Sequence, residues 1–226
     1  TATPSVVGTF NAAGNANALG VFVSGTTAYL VRASSADNEF FVVNVTTPSS
    51  PSLVGSLNLG NVGYEVWVSG TKAYVAAGTN SQELQVVDLT TPATPAIVGS
   101  YNVSGNTDAI TIAGSGNTVF LGRATNIYLL DVTTPTAPTL ISTFAGAGTV
   151  NDIALNFGSA DTYVYFVTAN SNKEFELFDI STPATPVSVG NLNLTAFNGI
   201  AYDSVHDRAF IVGPANAAEL TVIMPQ

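Results

Sequence analysis

One phrase is written four times along this chain. VVNVTTPSSPSLVGSL begins at Val42, VVDLTTPATPAIVGSY at Val86, LLDVTTPTAPTLISTF at Leu129 and LFDISTPATPVSVGNL at Leu177, at intervals of 44, 43 and 48 residues. A fifth copy opens with Val222-Ile-Met-Pro-Gln226 and stops where the Thr-Pro step should follow. The first ten residues supply the missing half: Thr1 to Phe10 match Pro92 to Tyr101 in register, with Pro4 on Pro95, Gly8 on Gly99 and Phe10 on Tyr101. The text therefore reads as a circle of five units with about one residue missing between Gln226 and Thr1. A repeat of this length is one supersecondary unit that buries its apolar faces only against its neighbours.

Each unit holds four short runs of strand character separated by turn residues, for example Tyr64 to Ser69, Ala73 to Ala76, Leu84 to Asp88 and Leu53 to Leu57. No helix is required. Four strands in about 45 residues is the size of a propeller blade. The expectation is an all-β, five-bladed β-propeller occupying residues 1–226 as a single domain, with four antiparallel strands per blade. Residues 1 to 10 are expected to be the outermost strand of the last blade, pairing with Glu219 to Met224 and closing the ring.

Nine of the eleven prolines fall in the repeated phrase, at Pro4 and at the pairs Pro48/Pro51, Pro92/Pro95, Pro135/Pro138 and Pro183/Pro186. Proline cannot donate to a sheet ladder, so these pairs mark the crossing to the outer strand. Asp88, Asp131 and Asp179 stand two residues before a Ser or Thr, the spacing at which a carboxylate accepts from a turn amide. They read as structural and not as metal ligands. The third strand of each unit is almost unbroken apolar text, such as Phe40-Phe-Val-Val43, as expected when both faces are covered. Trp67 is expected to pack between blades, with Phe22, Thr111, Ala154 and Ala201 at its equivalent positions; aromatics do not recur there.

The wording AYLV at Ala28, AYVA at Ala73, VFLG at Val119, YFVT at Tyr165 and AFIV at Ala209, each followed by the Val-Val-Asp and Thr-Pro phrases above, resembles the LVIVD-repeat family of propellers. That resemblance covers the whole chain, with Asn44 and Met224 standing where the pattern has Asp. It implies secreted or cell-surface placement in prokaryotes.

Composition removes several functions. Five Lys plus Arg against fifteen Asp plus Glu give a net charge of −10, which repels phosphate backbones and excludes a nucleic-acid partner. Only 9% of residues are charged, so Thr, Ser, Asn and Gly must cover the surface. No run approaches the apolar length of a membrane span and no basic leader precedes an apolar stretch, so neither membrane insertion nor a retained signal peptide is expected. Without an initiator Met the chain reads as a processed or excised piece. With no cysteine, disulfides, thiolate metal sites and cysteine nucleophiles are absent. The one histidine, His206, lies in the polar segment 203–208, which reads as an exposed turn and not as part of a triad.

Alternating strand directions bring the loops entering the first strand and those joining the second to the third onto one face. That face is expected to present Glu65, Asp108, Asn151, Asp152 and Asn198 near the channel. Glu39, Glu83, Glu174 and Glu219, with Asn126 in the remaining unit, are expected further out, together with Asp37 and against only Arg32, Arg123 and Lys173. The arrangement reads either as a mouth holding a calcium ion or a polar ligand, or as a solvated acidic rim, and no loop carries the compact DxDxDG calcium pattern. No other cofactor is implied. Sequons at Asn44, Asn102 and Asn193 read as chance in a chain so rich in Asn and Thr. The leading reading is a non-enzymatic binding or assembly module with a protein or glycan partner at an extracellular surface. The alternatives are a carbohydrate-binding lectin, or a glycoside hydrolase using Glu65, Asp108 and Asp152.

Overall fold

The computed structural model describes residues 3–157, 162–194, 197–214 and 219–224, and every regular element in them is a β-strand. Thr1, Ala2, Pro225 and Gln226, the ends of the circular reading, lie outside the described residues. The chain divides into two compact units, Thr1–Val103 and Ser104–Gln226. The first holds two antiparallel sheets laid down in chain order. One is β1 (Ala18–Ser24), β2 (Thr27–Arg32), β3 (Phe40–Asn44) and β4 (Ser52–Leu57); the next is β5 (Gly63–Ser69), β6 (Lys72–Ala77), β7 (Leu84–Asp88) and β8 (Ala96–Tyr101). The second unit continues with β9 (Ala109–Ser115), β10 (Thr118–Arg123), β11 (Asn126–Asp131) and β12 (Thr139–Ala145), then β13 (Val150–Phe157), β14 (Thr162–Thr168), β15 (Phe175–Asp179) and β16 (Val187–Leu192). Its last sheet is β17 (Gly199–Asp203), β18 (Arg208–Val212) and β19 (Leu220–Ile223). These are the five sheets that the repeat requires.

The expected four strands are present in four sheets, whereas the fifth has three among the described residues. Residues 3–10 carry no strand assignment. Gly8 lies instead against Pro48 and Ser49 of the first unit, as Gly55 lies against Pro92 and Ala93. The opening segment thus takes, beside the first sheet, the place that β4 takes beside the second.

The repeated phrase has a local mechanism. In each of the four Thr-Pro steps a backbone bond spans three residues, Ser50 N to Thr47 O, Thr94 N to Thr91 O, Ala137 N to Thr134 O and Thr185 N to Thr182 O, with proline at the second turn position. Just ahead of the turn, Asn44, Asp88, Asp131 and Asp179 each accept from the amide two residues on, at 2.8, 3.0, 2.8 and 2.8 Å. Asn44 therefore does the work of the aspartates that it replaces. Hydrogen bonds from the Thr90 hydroxyl, Lys72 and the Thr90 amide draw the Asp88 carboxyl down to about 2, and those from Thr133 and Ser181 lower Asp131 and Asp179.

Apolar faces meet between consecutive sheets, as the third-strand text anticipates. In the first unit Tyr29, Val31, Phe40 and Val42 pack against Val66, Val68, Ala73 and Val75. In the second, Phe120, Ile127 and Leu129 meet Ile153, Val164 and Phe166, while Tyr165, Val167 and Phe175 meet Ala209 and Ile211. Trp67 stands opposite Tyr74 on the neighbouring strand, ring centroids 5.2 Å apart. Register also corrects the expected equivalence. The residue matching Trp67 in the third sheet is Ala113, opposite Phe120, and the recurring aromatics sit on the second strand as Tyr29, Tyr74, Phe120, Tyr165 and Phe210.

Each four-stranded sheet bulges in its outer strand, where Val54, Val98, Ile141 and Val189 are left without a register partner. In the first and third sheets the next residue closes onto the following Thr-Pro turn. At Gly55 a Cβ would overlap the Pro92 carbonyl oxygen, which is backbone and cannot step aside. In the third sheet Ser142 occupies this position and its hydroxyl donates to Pro183 O at 2.6 Å, which turns the close approach into a hydrogen bond. Gly55→Val is therefore expected to destabilise the fold by about 1–3 kcal/mol, the range for overpacking. That is a melting decrease of several degrees for a chain of this size; calorimetry that finds no decrease would contradict the contact.

Candidate functional site

The linkers between sheets are held by buried charge. Glu39, Glu83 and Glu174, expected on a solvated rim, are 1, 0 and 4% exposed. One oxygen of each accepts the backbone N–H twenty residues further on: Leu59 at 2.9 Å, Val103 at 2.8 Å and Leu194 at 2.8 Å. That amide lies in the linker leaving the same sheet. A buried carboxylate without a donor costs far more than one hydrogen bond returns, so the carboxylate and the linker amide constrain each other. Two residues along the strand, a second side chain reaches the linker entering the sheet. Gln85 Nε2 donates to Leu59 O at 2.9 Å, and Glu176 accepts from Ala147 N at 2.6 Å. Burial raises the Glu176 carboxyl above its ordinary range. The matching residue in the fifth sheet is Thr221, shorter than either. Glu219, by contrast, is exposed.

The two arginines expected on the same face are also consumed by linkers. Arg32, 3% exposed, donates to Asn38 O, Ala13 O and the Ser35 hydroxyl, and its guanidinium lies 4.7 Å from the centre of the Phe41 ring. Arg123, 7% exposed, donates to Thr107 O and Ser104 O. The acidic rim expected from sequence is thus largely an internal lattice of charged groups on backbone.

The five candidate residues fall into different roles. Glu65 is half-buried on β5 in the first unit, and Asp108 is half-buried ahead of β9 in the second. Strand register matches Glu65 with Gly20, Thr111 and Asp152, so Asp108 stands three residues before the position that its neighbours occupy. Asp152 is turned into the seam between first strands. Its Oδ1 accepts from Ile153 N at 2.8 Å and the Thr111 hydroxyl at 3.2 Å, and its Oδ2 from Ile200 N at 2.8 Å, which ties β13 to β9 and β17. Desolvation raises its pKa above the ordinary carboxylate value, against the pull of those three donors. Among the described residues no group of three or more carboxylates or imidazoles is gathered where it could hold a metal ion.

Asn151 and Asn198 come together. Both line a cavity of about 560 Å³ in the second unit, bounded by the β14–β15 loop and the β16–β17 linker. This volume lies within the range of small-molecule sites. Asn151 sits at a β-bulge, where register skips from Val150 to Asp152. Its Nδ2 donates to Phe197 O at 2.8 Å. The other bulged first strands put Leu19, Tyr64 and Ile110 at this position, so an amide here departs from what the repeat packs. Sequence reasoning missed Asn170, Ser171, Asn193 and Phe197 in the same wall. The departure at Asn151 was the available signal. A second cavity, of about 410 Å³ and in the first unit, includes Phe10, Arg32 and Asp37. The Arg32 donors there already serve the protein's own oxygens.

His206 lies in the β17–β18 turn with Nδ1 2.6 Å from Asp203 Oδ2, and Tyr202 bonds Asp207 across the same turn. The turn assignment of His206 holds. Removing the Asp152 carboxylate orphans buried donors on strands of three sheets. Asp152→Ala is expected to cost about 1–3 kcal/mol for the donors left unpaired. Calorimetric melting checks this, and an unchanged melting temperature would show that the seam does not need the carboxylate.

The LVIVD repeat family matches residues 14–58, 63–103 and 147–194. No curated protein matches the chain. Among solved structures, the WD40 repeats of RRP9 are similar with a TM-score of 0.64 at 16% identity, over 87% of this chain and 60% of that one. The Myceliophteria thermophila Cps50 (Swd1) β-propeller domain gives a TM-score of 0.64 at 14% identity, over 89% and 67%. The computationally designed Ika8 protein gives 0.62 at 14% identity, over 87% and 55%. The chain thus spans between half and two thirds of the length of Ika8 and of the RRP9 repeats. At these identities the likeness establishes the fold, a β-propeller, here with five blades. With most of the chain matched on the strands and turns described above, this protein belongs to the LVIVD repeat family.

Proposed function

We propose that this protein is a non-enzymatic binding or assembly module, secreted or displayed on a cell surface, that presents a ligand site on its second unit. One observation carries the reading. Glu39, Glu83, Glu174 and Asp152 are engaged in holding backbone, whereas the open cavity is walled mainly by neutral amides, hydroxyls and apolar side chains, with Glu174 its one ionisable residue. A general acid or base must reach a substrate proton, and Asp152, Glu39, Glu83 and Glu174 have accepted protein N–H groups instead. Extracellular placement rests on the family resemblance and on a surface of Thr, Asn and Gly in place of charge.

The glycoside hydrolase alternative needs two carboxylates flanking a scissile bond. Asp152, one of its three candidates, is committed to the strand seam. Incubation with aryl glycosides, esters and phosphate esters is expected to release no product above buffer, and His206→Ala is expected to leave ligand binding unchanged. Turnover that disappears in Asp152→Asn, while the fold survives, would overturn the non-enzymatic reading.

A further inference from the structure

Resting on that reading, we infer that the cavity between the β14–β15 loop and the β16–β17 linker is a binding site for a neutral saccharide. The argument begins with what the cavity excludes. No Lys, Arg or His lines it, so it offers no charge to a phosphate, sulfate or carboxylate. Its one ionisable residue, Glu174, has an oxygen on Leu194 N. A single carboxylate so engaged does not make a cation site, because hard cations take several oxygen ligands. Remaining are the amides of Asn151, Asn193 and Asn198 and the hydroxyl of Ser171, with Leu194 and Phe197 supplying apolar wall. Amides and hydroxyls both donate and accept. They match a ligand dense in hydroxyl groups that also carries an apolar C–H face, which describes a sugar ring.

The site is also built in advance. Asn170 Oδ1 accepts from Asn172 N and Lys173 N, at 2.8 and 3.1 Å, and its Nδ2 donates to Ala147 O. The buried Thr168 hydroxyl donates to Lys173 O and accepts from Asn170 N. These bonds fix the loop before any ligand arrives, which lowers the ordering cost of binding. Asn198 and Ser171 are exposed, and the Ser171 hydroxyl accepts only a long bond, 3.5 Å, from Asn172 Nδ2, which leaves its proton to donate to a ligand. Asn151 keeps Oδ1 as an acceptor while Nδ2 holds Phe197 O. The same strand position carries Leu, Tyr or Ile in the first three sheets, so the fold itself does not call for an amide there.

An array of neutral, sialylated and sulfated glycans, followed by calorimetric titration of the neutral ones that bind, tests the inference. The expected result is binding to neutral glycans, with affinity lowered at least tenfold in Ser171→Ala/Asn198→Ala and an unchanged melting temperature. Both residues are exposed, so the double variant should fold; Asn151→Leu, which installs the side chain of the first sheet, provides a second check. Binding confined to charged glycans, binding indifferent to these substitutions, or no glycan binding would overturn the saccharide assignment. A melting shift produced by nucleosides or short peptides and lost in the double variant, with an empty array, would also overturn it while leaving a non-enzymatic binding site standing. Cleavage of a bound glycan would instead overturn the non-enzymatic reading and leave the saccharide assignment in place.

Discussion

A glutamate that cannot reach water stands immediately before the third strand of a sheet, and the donor it finds is the backbone N–H of the linker leaving that same sheet. Glu39, Glu83 and Glu174 meet this condition with the same offset of twenty residues. The offset is set by the repeat: a Thr-Pro turn, an outer strand and a few linker residues separate carboxylate from amide. Glutamate has the length to span the gap, and the third unit shows the consequence of a shorter side chain. There Asn126 replaces it, and the linker amide of Ala147 is held from the following sheet by Glu176. Burial makes the arrangement strict. Glu83 already carries one buried oxygen with no hydrogen-bond partner, as does Gln85 beside it, so loss of the Val103 bond would leave the Glu83 carboxylate with still less compensation.

This use of charge explains why so few charged residues suffice. The chain carries fifteen acidic and five basic side chains, and many of those on the loop face are consumed by backbone: the glutamates on linker amides, Arg32 and Arg123 on linker carbonyls, Asp152 on the first-strand seam. What such a repeat leaves for function is whatever one unit does differently. In the second unit that difference is an amide at a bulge otherwise filled by Leu, Tyr or Ile, and an amide-lined cavity beside it.

Much of the fold was legible because turn chemistry is local. The prolines fixed the crossing to the outer strand, and the residues two before Ser or Thr proved to be turn acceptors, Asn44 included. The buried third strands followed from unbroken apolar text. The glutamates were not legible in the same way. A Glu among polar loop residues reads as solvated, since its donor is twenty residues away and only folding brings the two together. Asp152 failed likewise: its partners Thr111 and Ile200 lie in other sheets. Asp108 was aligned by the apolar pair that follows it, Ala109-Ile110, but strand register places that pair before the matched position, Thr111, whereas Val66-Trp67 follow Glu65.

The central claim, that buried glutamates hold the linkers, is tested most directly by amide hydrogen exchange resolved at single residues. Leu59, Val103 and Leu194 lie outside strands and would exchange quickly if their N–H groups met only water. The account predicts protection close to that of third-strand amides such as Val42 and Val86, and a selective loss at Val103 in Glu83→Ala. Linker amides exchanging as fast as those of the exposed β14–β15 loop in the native protein would contradict it.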